Sequence, residues 1–97
     1  MSVYHVMFMA MKQDAGDVTA MCKKFVELLL GIPGVEDVTI GPNFRSGEIT
    51  YSHAAVVRLK DKKALEAYGP HPNHTALAKV MTPFVTSVQV VDYEFNA

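Results

Sequence analysis

The chain has 97 residues, with little cysteine, no tryptophan and no long apolar segment. Because Cys22 is its single cysteine, an intrachain disulfide is excluded and a reducing compartment fits the composition. No apolar run approaches the roughly 18 residues that a membrane-spanning helix needs. The first residues also lack the charged and then apolar segments of a signal peptide. We therefore expect a cytoplasmic protein without a membrane partner.

The chain also has no excess of positive or of negative charge. Nine Lys and Arg residues and ten Asp and Glu residues give a net charge of -1 at pH 7. The nearest approach to a basic cluster, RLKDKK at 58–63, contains Asp61. This is a weak phosphate footprint, so we expect no nucleic-acid partner. No glycine-rich phosphate loop follows the first strand, and GIPG at 31–34 lacks the spacing of a dinucleotide fingerprint, so we expect no cofactor.

Apolar residues, in contrast, are abundant and make up 49% of the chain. A chain of this length forms one domain, here predicted at residues 1–97. Its core is thin, because a small domain buries only about 60–65% of the surface of its unfolded chain. The apolar surplus indicates a cavity lined by apolar side chains, a face buried against another subunit, or both.

Periodicity predicts a ferredoxin-like α+β fold. SVYHVMFMAMK at 2–12 is apolar on both alternating faces, which is typical of a central strand. Asp14 or Asp17 is placed to cap the following helix, and Asp61 to cap a later one. The order is βαββαβ, the split βαβ arrangement. The predicted strands lie at 2–12, 35–41, 49–59 and 85–95, and the helices near 18–32, 62–68 and 73–81.

This fold leaves one face of the sheet bare, because its helices cover only the other face. Val6, Phe8, Val56 and Val91 are expected on the bare face. Two protomers that pack sheet to sheet would bury it in an isologous interface. We therefore predict a homodimeric α/β barrel.

Two histidines are expected on the helix side of the sheet. His5 shares a strand face with Met7 and Met9, as either a core residue with a hydrogen-bond partner or a pocket residue. His53 has the same parity as Ala55 and Val57. The small side chain of Ala55, where a filled core would prefer Val or Ile, is a weak indication of retained space.

The segment YGPHPNH at 68–74 contains the other two histidines. His71 precedes Pro72 and is predicted to cap the next helix. His74 lies early in that helix, where the positive end of the helix dipole favours a neutral ring, the form that a general base needs near pH 7. Tyr68 could approach His74 across the turn; a surface histidine is the alternative. Pro72 and the absence of a nearby third ligand argue against zinc, so we expect no metal.

Taken together, His5, GIPGVEDV at 31–38, the segment 51–74 and VVDYE at 90–94 resemble the stress-responsive dimeric α/β-barrel (Dabb) family. The resemblance covers nearly the whole chain. It implies a homodimeric barrel and, through a plant polyketide cyclase of the family, catalytic roles for His74, His5 and Tyr68. The chain departs from that enzyme at Met21, Cys22 and Val85, where aromatic residues are replaced. With the strand residues, the expected substrate contacts are Met7, Met9, Met21, Phe25, His53, Ala55, Val57, Val88, Val90 and Asp92.

Three functions are compatible with this pattern. The first is a cofactor-independent polyketide cyclase or aldol-type lyase in which His74 is the general base. The second is a non-catalytic, stress-responsive dimer that binds a small apolar or polyketide-like molecule. The third is a cofactor-independent monooxygenase built on the same general fold.

Overall fold

The computed structural model describes residues 1–96, so Ala97, the last residue of the predicted domain, lies outside the described residues. The strands are β1 (Ser2–Met11), β2 (Val35–Pro42), β3 (His53–Leu59) and β4 (Val85–Phe95). The helices are α1 (Thr19–Leu30), α2 (Lys62–Tyr68) and α3 (Pro72–Met81). The predicted ferredoxin-like α+β fold is confirmed, with the second crossover divided between α2 and α3.

The sheet has the order β2-β3-β1-β4, and all its neighbouring strands are antiparallel. β1 is therefore a central strand, as its two apolar faces predict. The register places His5 opposite Val57 on β3 and opposite Asp92 on β4. Because directly opposed residues lie on the same face of a sheet, this register brings distant parts of the chain together on the helix side.

β3 is shorter than predicted. The sequence pattern places this strand at 49–59, whereas the ladder begins at His53, opposite Pro42. β2 ends at Pro42, so the residues before His53 have no strand beside them on that side. The backbone N–H of Asn43 instead donates to the carbonyl of Ser52 (2.7 Å), whose own N–H donates to Met9 (2.9 Å). Residues 49–52 are therefore part of the connection.

The starts of α2 and α3 follow the predicted caps. The carboxylate of Asp61 accepts a hydrogen bond from the Ala64 backbone N–H (2.8 Å). The ring nitrogen Nδ1 of His71 accepts one from the Asn73 N–H (3.0 Å), and Pro72 occupies the first turn of α3. Each cap satisfies a backbone donor that the helix itself leaves free.

The start of α1 differs slightly from the prediction. Val18 occupies the N-cap position and makes no side-chain cap. Asp17, one residue earlier, accepts a hydrogen bond from the Thr19 N–H (2.9 Å). Hydrogen bonding to the Thr19 side chain and then to its backbone N–H lowers the pKa of this exposed carboxyl group. The aspartate thus satisfies the first free N–H from outside the helix.

The core lies between the helices and the inner face of β1 and β3. Each of its fully buried side chains contributes about 1.5–3 kcal/mol by leaving water. The largest of them are Val3, Met9, Phe25, Leu29, Ile32, Val57 and Leu59.

The opposite face of the sheet is exposed. Val6 lies between Val56 and Val91 in the register, and Val91 is 52% exposed. Further along the same face, the Tyr4 ring stacks on Tyr93, with ring centroids 5.4 Å apart. The predicted apolar face therefore exists, and it is open within one protomer. Among residues 1–96, no helix combines the length and apolar character needed to cross a membrane.

Candidate functional site

Three ring side chains predicted as catalytic lie in contact. Tyr68, the last residue of α2, is only 3% exposed. Its ring meets the His5 ring edge to face, with centroids 5.2 Å apart, and meets the His74 ring in the same way at 5.0 Å. Tyr68 therefore lies between two imidazoles that are almost seventy positions apart in the chain.

The local sequence explains why His74 returns to Tyr68. After Tyr68 the chain turns through Gly69 and Pro70, and the His71 N–H donates to the Tyr68 carbonyl (3.2 Å). The His71 cap then starts α3, so His74 falls within its first turn. This short connection fixes the relation between the two helices.

Asn73 holds the start of α3 against the end of α1. Its side-chain amide donates to the Leu28 carbonyl (2.9 Å). Gly31 permits this approach, because a Cβ atom there would lie 2.7 Å from the Asn73 amide nitrogen. The GIPG segment that ends α1 therefore also helps to position α3 and, with it, His74.

Burial disfavours the charged forms of both Tyr68 and His74. The pKa of the Tyr68 hydroxyl is well above its ordinary value, because burial and then the negative charge of Asp92 disfavour the phenolate. The pKa of His74 is lowered, because burial and then positive charge at His5 disfavour the imidazolium. A hydrogen bond with the Gly69 backbone offsets part of that effect. The pair thus offers a hydroxyl donor beside a neutral base.

An apolar cavity of about 340 Å³ opens beside these two rings. Its size is within the range of small-molecule sites, about 300–1,000 Å³. The cavity walls are formed by α3, the start of β4, and one residue each of α2 and β1. Its lining includes Met7, Tyr68, His74, Leu77, Met81 and Val88.

His5 makes its polar contact on the other side of Tyr68. Its Nδ1 atom lies 2.5 Å from Oδ1 of Asp92, its cross-strand partner. His5 does not line the apolar cavity, and Asp92 lies in a separate cleft between α2 and β4, together with Lys62 and Glu66. Four side chains therefore form a row from the cavity to the cleft, in the order His74, Tyr68, His5 and Asp92.

Comparison with known families and structures agrees with this architecture. Residues 3–95 match the stress-responsive A/B barrel domain family, Dabb. The chain belongs to this family. No curated protein matches it.

Three solved structures share the fold over nearly all of this Dabb chain. A dimeric protein of unknown function from Bacteroides fragilis is 25% identical, with a TM-score of 0.75 and coverage of 97% of this chain and 96% of that chain. A Dabb protein from Mesorhizobium loti is 20% identical, with a TM-score of 0.82 and coverage of 99% and 98%. A hydroxynitrile lyase from Passiflora edulis is 16% identical, with a TM-score of 0.85 and coverage of 98% and 94%.

The predicted substrate contacts fall in different surroundings. Met7 and Val88 line the cavity. Val90 is 46% exposed, and Asp92 lies in the second cleft. His53 lines a third pocket, near the 43–52 connection, and contacts Ser52. Met9, Met21, Phe25, Ala55 and Val57 lie in the closed core, each no more than 2% exposed.

The role of each of these residues as a substrate contact therefore stays a prediction. Ala55, whose small side chain was a weak indication of retained space, is buried within the core cluster.

The sequence reasoning missed the wall of the cavity that α3 provides. Leu77, Ala78 and Met81 line the cavity with His74. They follow His74 at i+3, i+4 and i+7, the spacing of one helical face. That spacing was a usable signal that the cavity extends along α3.

No group of three or more His, Cys, Asp or Glu side chains within residues 1–96 is arranged to hold a metal ion. His71, the first histidine of HPNH, uses Nδ1 to cap α3. The expectation of a reaction without metal or cofactor stays a prediction.

Proposed function

We propose that this Dabb protein is a homodimer with one cofactor-independent reaction site in each protomer, acting on an enolisable carbonyl compound. The reaction class is that of a polyketide cyclase or aldol-type lyase. The observation that carries the proposal is the buried Tyr68 ring, placed between His5 and His74 beside an apolar cavity.

The exposed sheet face supports the dimer. Phe8, Val91, Tyr93 and Phe95 on this face are 38%, 52%, 50% and 54% exposed, an apolar patch that water solvates poorly. The similar Bacteroides fragilis protein is dimeric. A second copy packed face to face covers the patch.

The proposed first step is removal of a proton α to a carbonyl group. The neutral His74 ring accepts this proton, and the electron pair of the C–H bond forms an enolate. The Tyr68 hydroxyl, kept protonated by burial, donates a hydrogen bond to the enolate oxygen. Positioned proton transfer of this kind contributes about 10²–10⁴-fold to a rate.

Carbon–carbon bond formation completes the cycle. The enolate carbon attacks a second carbonyl of the same chain, and the resulting alkoxide takes the proton back from His74. The reaction is then balanced without an oxidant or reductant. The apolar cavity walls, including Leu77 and Met81, hold the acyl chain folded, which replaces a loose collision by an intramolecular step.

A second function has support from the lining of the cavity, which is mainly apolar beyond Tyr68 and His74. A Dabb dimer that binds a small apolar molecule without transforming it uses the same cavity. In that case the two histidines only satisfy neighbouring polar groups.

The experiment offers the purified protein a tetraketide thioester, a β-diketone and an aromatic cyanohydrin, the last because a hydroxynitrile lyase shares this fold. Products are followed by liquid chromatography and mass spectrometry, and binding by thermal shift. Cyclised product that disappears in His74→Ser supports the cyclase. Cyanohydrin cleavage indicates a lyase of another class, and stabilisation without any product supports the binding protein.

A further inference from the structure

The hydrogen bond between His5 and Asp92 lies next to the candidate site, on the side of Tyr68 that faces away from the apolar cavity. His5 is nearly buried, with 11% of its side chain exposed, whereas Asp92 is 42% exposed. The two residues are direct cross-strand partners on β1 and β4. The sheet register itself therefore fixes the contact, independently of any loop.

The chemistry of this contact selects one form of the His5 ring. An ionised carboxylate only accepts hydrogen bonds, so Nδ1 of His5 carries the proton in the contact with Asp92. In the neutral ring, Nε2 is then the nitrogen with a free lone pair. The Tyr68 ring packs against the same imidazole, at a centroid distance of 5.2 Å.

We propose that Asp92 is a positioning residue: it holds His5 with Nδ1 protonated and makes Nε2 the nitrogen available on the Tyr68 side of the site. The catalytic meaning of this role rests on the proposed function. The role differs from that of a substrate contact, because Asp92 reaches His5 from the α2–β4 cleft and does not line the apolar cavity.

The charged groups around the pair favour this pairing. On α2, Lys62 forms an ion pair with Glu94 of β4, with 3.2 Å between Nζ and Oε1. Glu66 of α2 lines the same cleft and carries the same charge as Asp92. On the other side of His5 stand Tyr68 of α2 and His74 of α3, both held neutral. His5 is the hydrogen-bond donor that the strand register places opposite Asp92.

Electrostatic coupling runs along the same row. Burial raises the pKa of Tyr68, and the negative charge of Asp92 adds to this effect. Burial lowers the pKa of His74, and His5, when its ring is protonated, adds to this effect. Asp92 therefore acts electrostatically on Tyr68, although it does not line the apolar cavity.

Nuclear magnetic resonance of ¹⁵N-histidine-labelled protein tests the role without any substrate. Long-range ¹H–¹⁵N spectra identify which ring nitrogen of His5 carries the proton. The wild type is expected to show the Nδ1–H form, and Asp92→Asn and Asp92→Ala a mixture shifted toward Nε2–H. The matched control is Glu94→Gln, two residues along the same strand, which should leave the His5 signals in place.

The signals of His53 and His71 report whether the fold survives in each variant. An Nε2–H tautomer in the wild type overturns the proposal. Asp92 variants whose His5 spectrum equals that of the wild type also overturn it.

Kinetics with a substrate identified as above test the catalytic meaning. Asp92→Asn is expected to lower kcat as far as His5→Ala does, with little change in KM, and the double variant is expected to be no worse than either. Asp92→Glu should recover part of the loss. A changed tautomer with unchanged kcat would refute the catalytic role. If no substrate is turned over at all, the proposed function fails, while the spectra still decide whether Asp92 positions His5.

Discussion

The two halves of the sheet differ in how they are covered. On β3, Ala55, Val57 and Leu59 are at most 2% exposed, because α1 and α2 pack over this half. On β4, Val88 and Val90 have the same inward direction but are 39% and 46% exposed. The helices therefore seal the β2–β3 side and leave the β4 side open.

This difference separates stability from function in the fold. Most of the fully buried side chains lie in the sealed half, and their burial contributes much of the hydrophobic stabilisation. The open half contains the cavity on its inner face and exposed apolar residues on its outer face. A ligand and a second protomer are thus expected on opposite faces of the same strand.

The largest effect is expected for Val91→Lys on the outer face of β4. In a symmetric dimer, the substitution places a charge twice in the apolar interface, and an unpaired buried charge costs about 3–5 kcal/mol. The dimer should dissociate at micromolar concentration, as measured by light scattering after size exclusion.

The matched control is Val90→Lys, the neighbouring residue on the inner face, with similar exposure. It should remain dimeric. If both variants are dimeric, or both are monomeric, the outer face of β4 is not the specific dimer interface. That result would contradict the proposed sheet-to-sheet dimer.

A second large effect is expected at the cavity. His74→Ser should lower kcat/KM on a cyclisable polyketide by about 10²–10⁴-fold, the usual contribution of a positioned base. The control is Lys79→Gln, an exposed position on the same helix outside the cavity. Full activity of His74→Ser, measured by product formation, would remove the base from the mechanism.

Much of this arrangement could be predicted from the sequence, because local rules decide it. The alternation in residues 2–12 separates the two faces of β1, and Asp61 and His71 cap their helices as expected. The segment between Tyr68 and His74 is short and rigid, so their contact follows from the turn alone.

The parts that the sequence did not predict depend on distant partners. The start of β3 is decided by the end of β2 at Pro42. The place of the cavity depends on which side chains fill the space beneath α1. Phe25 of α1 and Met9 of β1 are fully buried, whereas the cavity lies beside α3. The Asp92 contact follows from the register of β1 with β4, yet an inward-facing carboxylate that needs a partner was a signal for it.

A moderate effect on the free energy of unfolding is expected to distinguish the two halves of the sheet. Val57→Ala removes two methyl groups from a fully buried site and should lower the free energy of unfolding by about 2 kcal/mol. Val90→Ala, on the open half, should change it by less than about 0.5 kcal/mol. Chemical denaturation measures both. Similar losses would show that the β4 side is sealed in solution, for example by a partner.

The smallest effect is expected in the pH dependence of stability. Because the pKa of His74 is lowered in the folded state, the unfolded chain binds more protons at mildly acidic pH. The contribution of the neutral ring is therefore fully present above the ordinary histidine pKa, and it is lost as pH falls toward the lowered value. His74→Gln, which keeps a polar side chain, should flatten the Tm profile in this window relative to the wild type. If the Tm profile of His74→Gln keeps the wild-type slope, His74 is solvated like an exposed histidine. The cavity on the open half of the sheet would then lack the proposed neutral base.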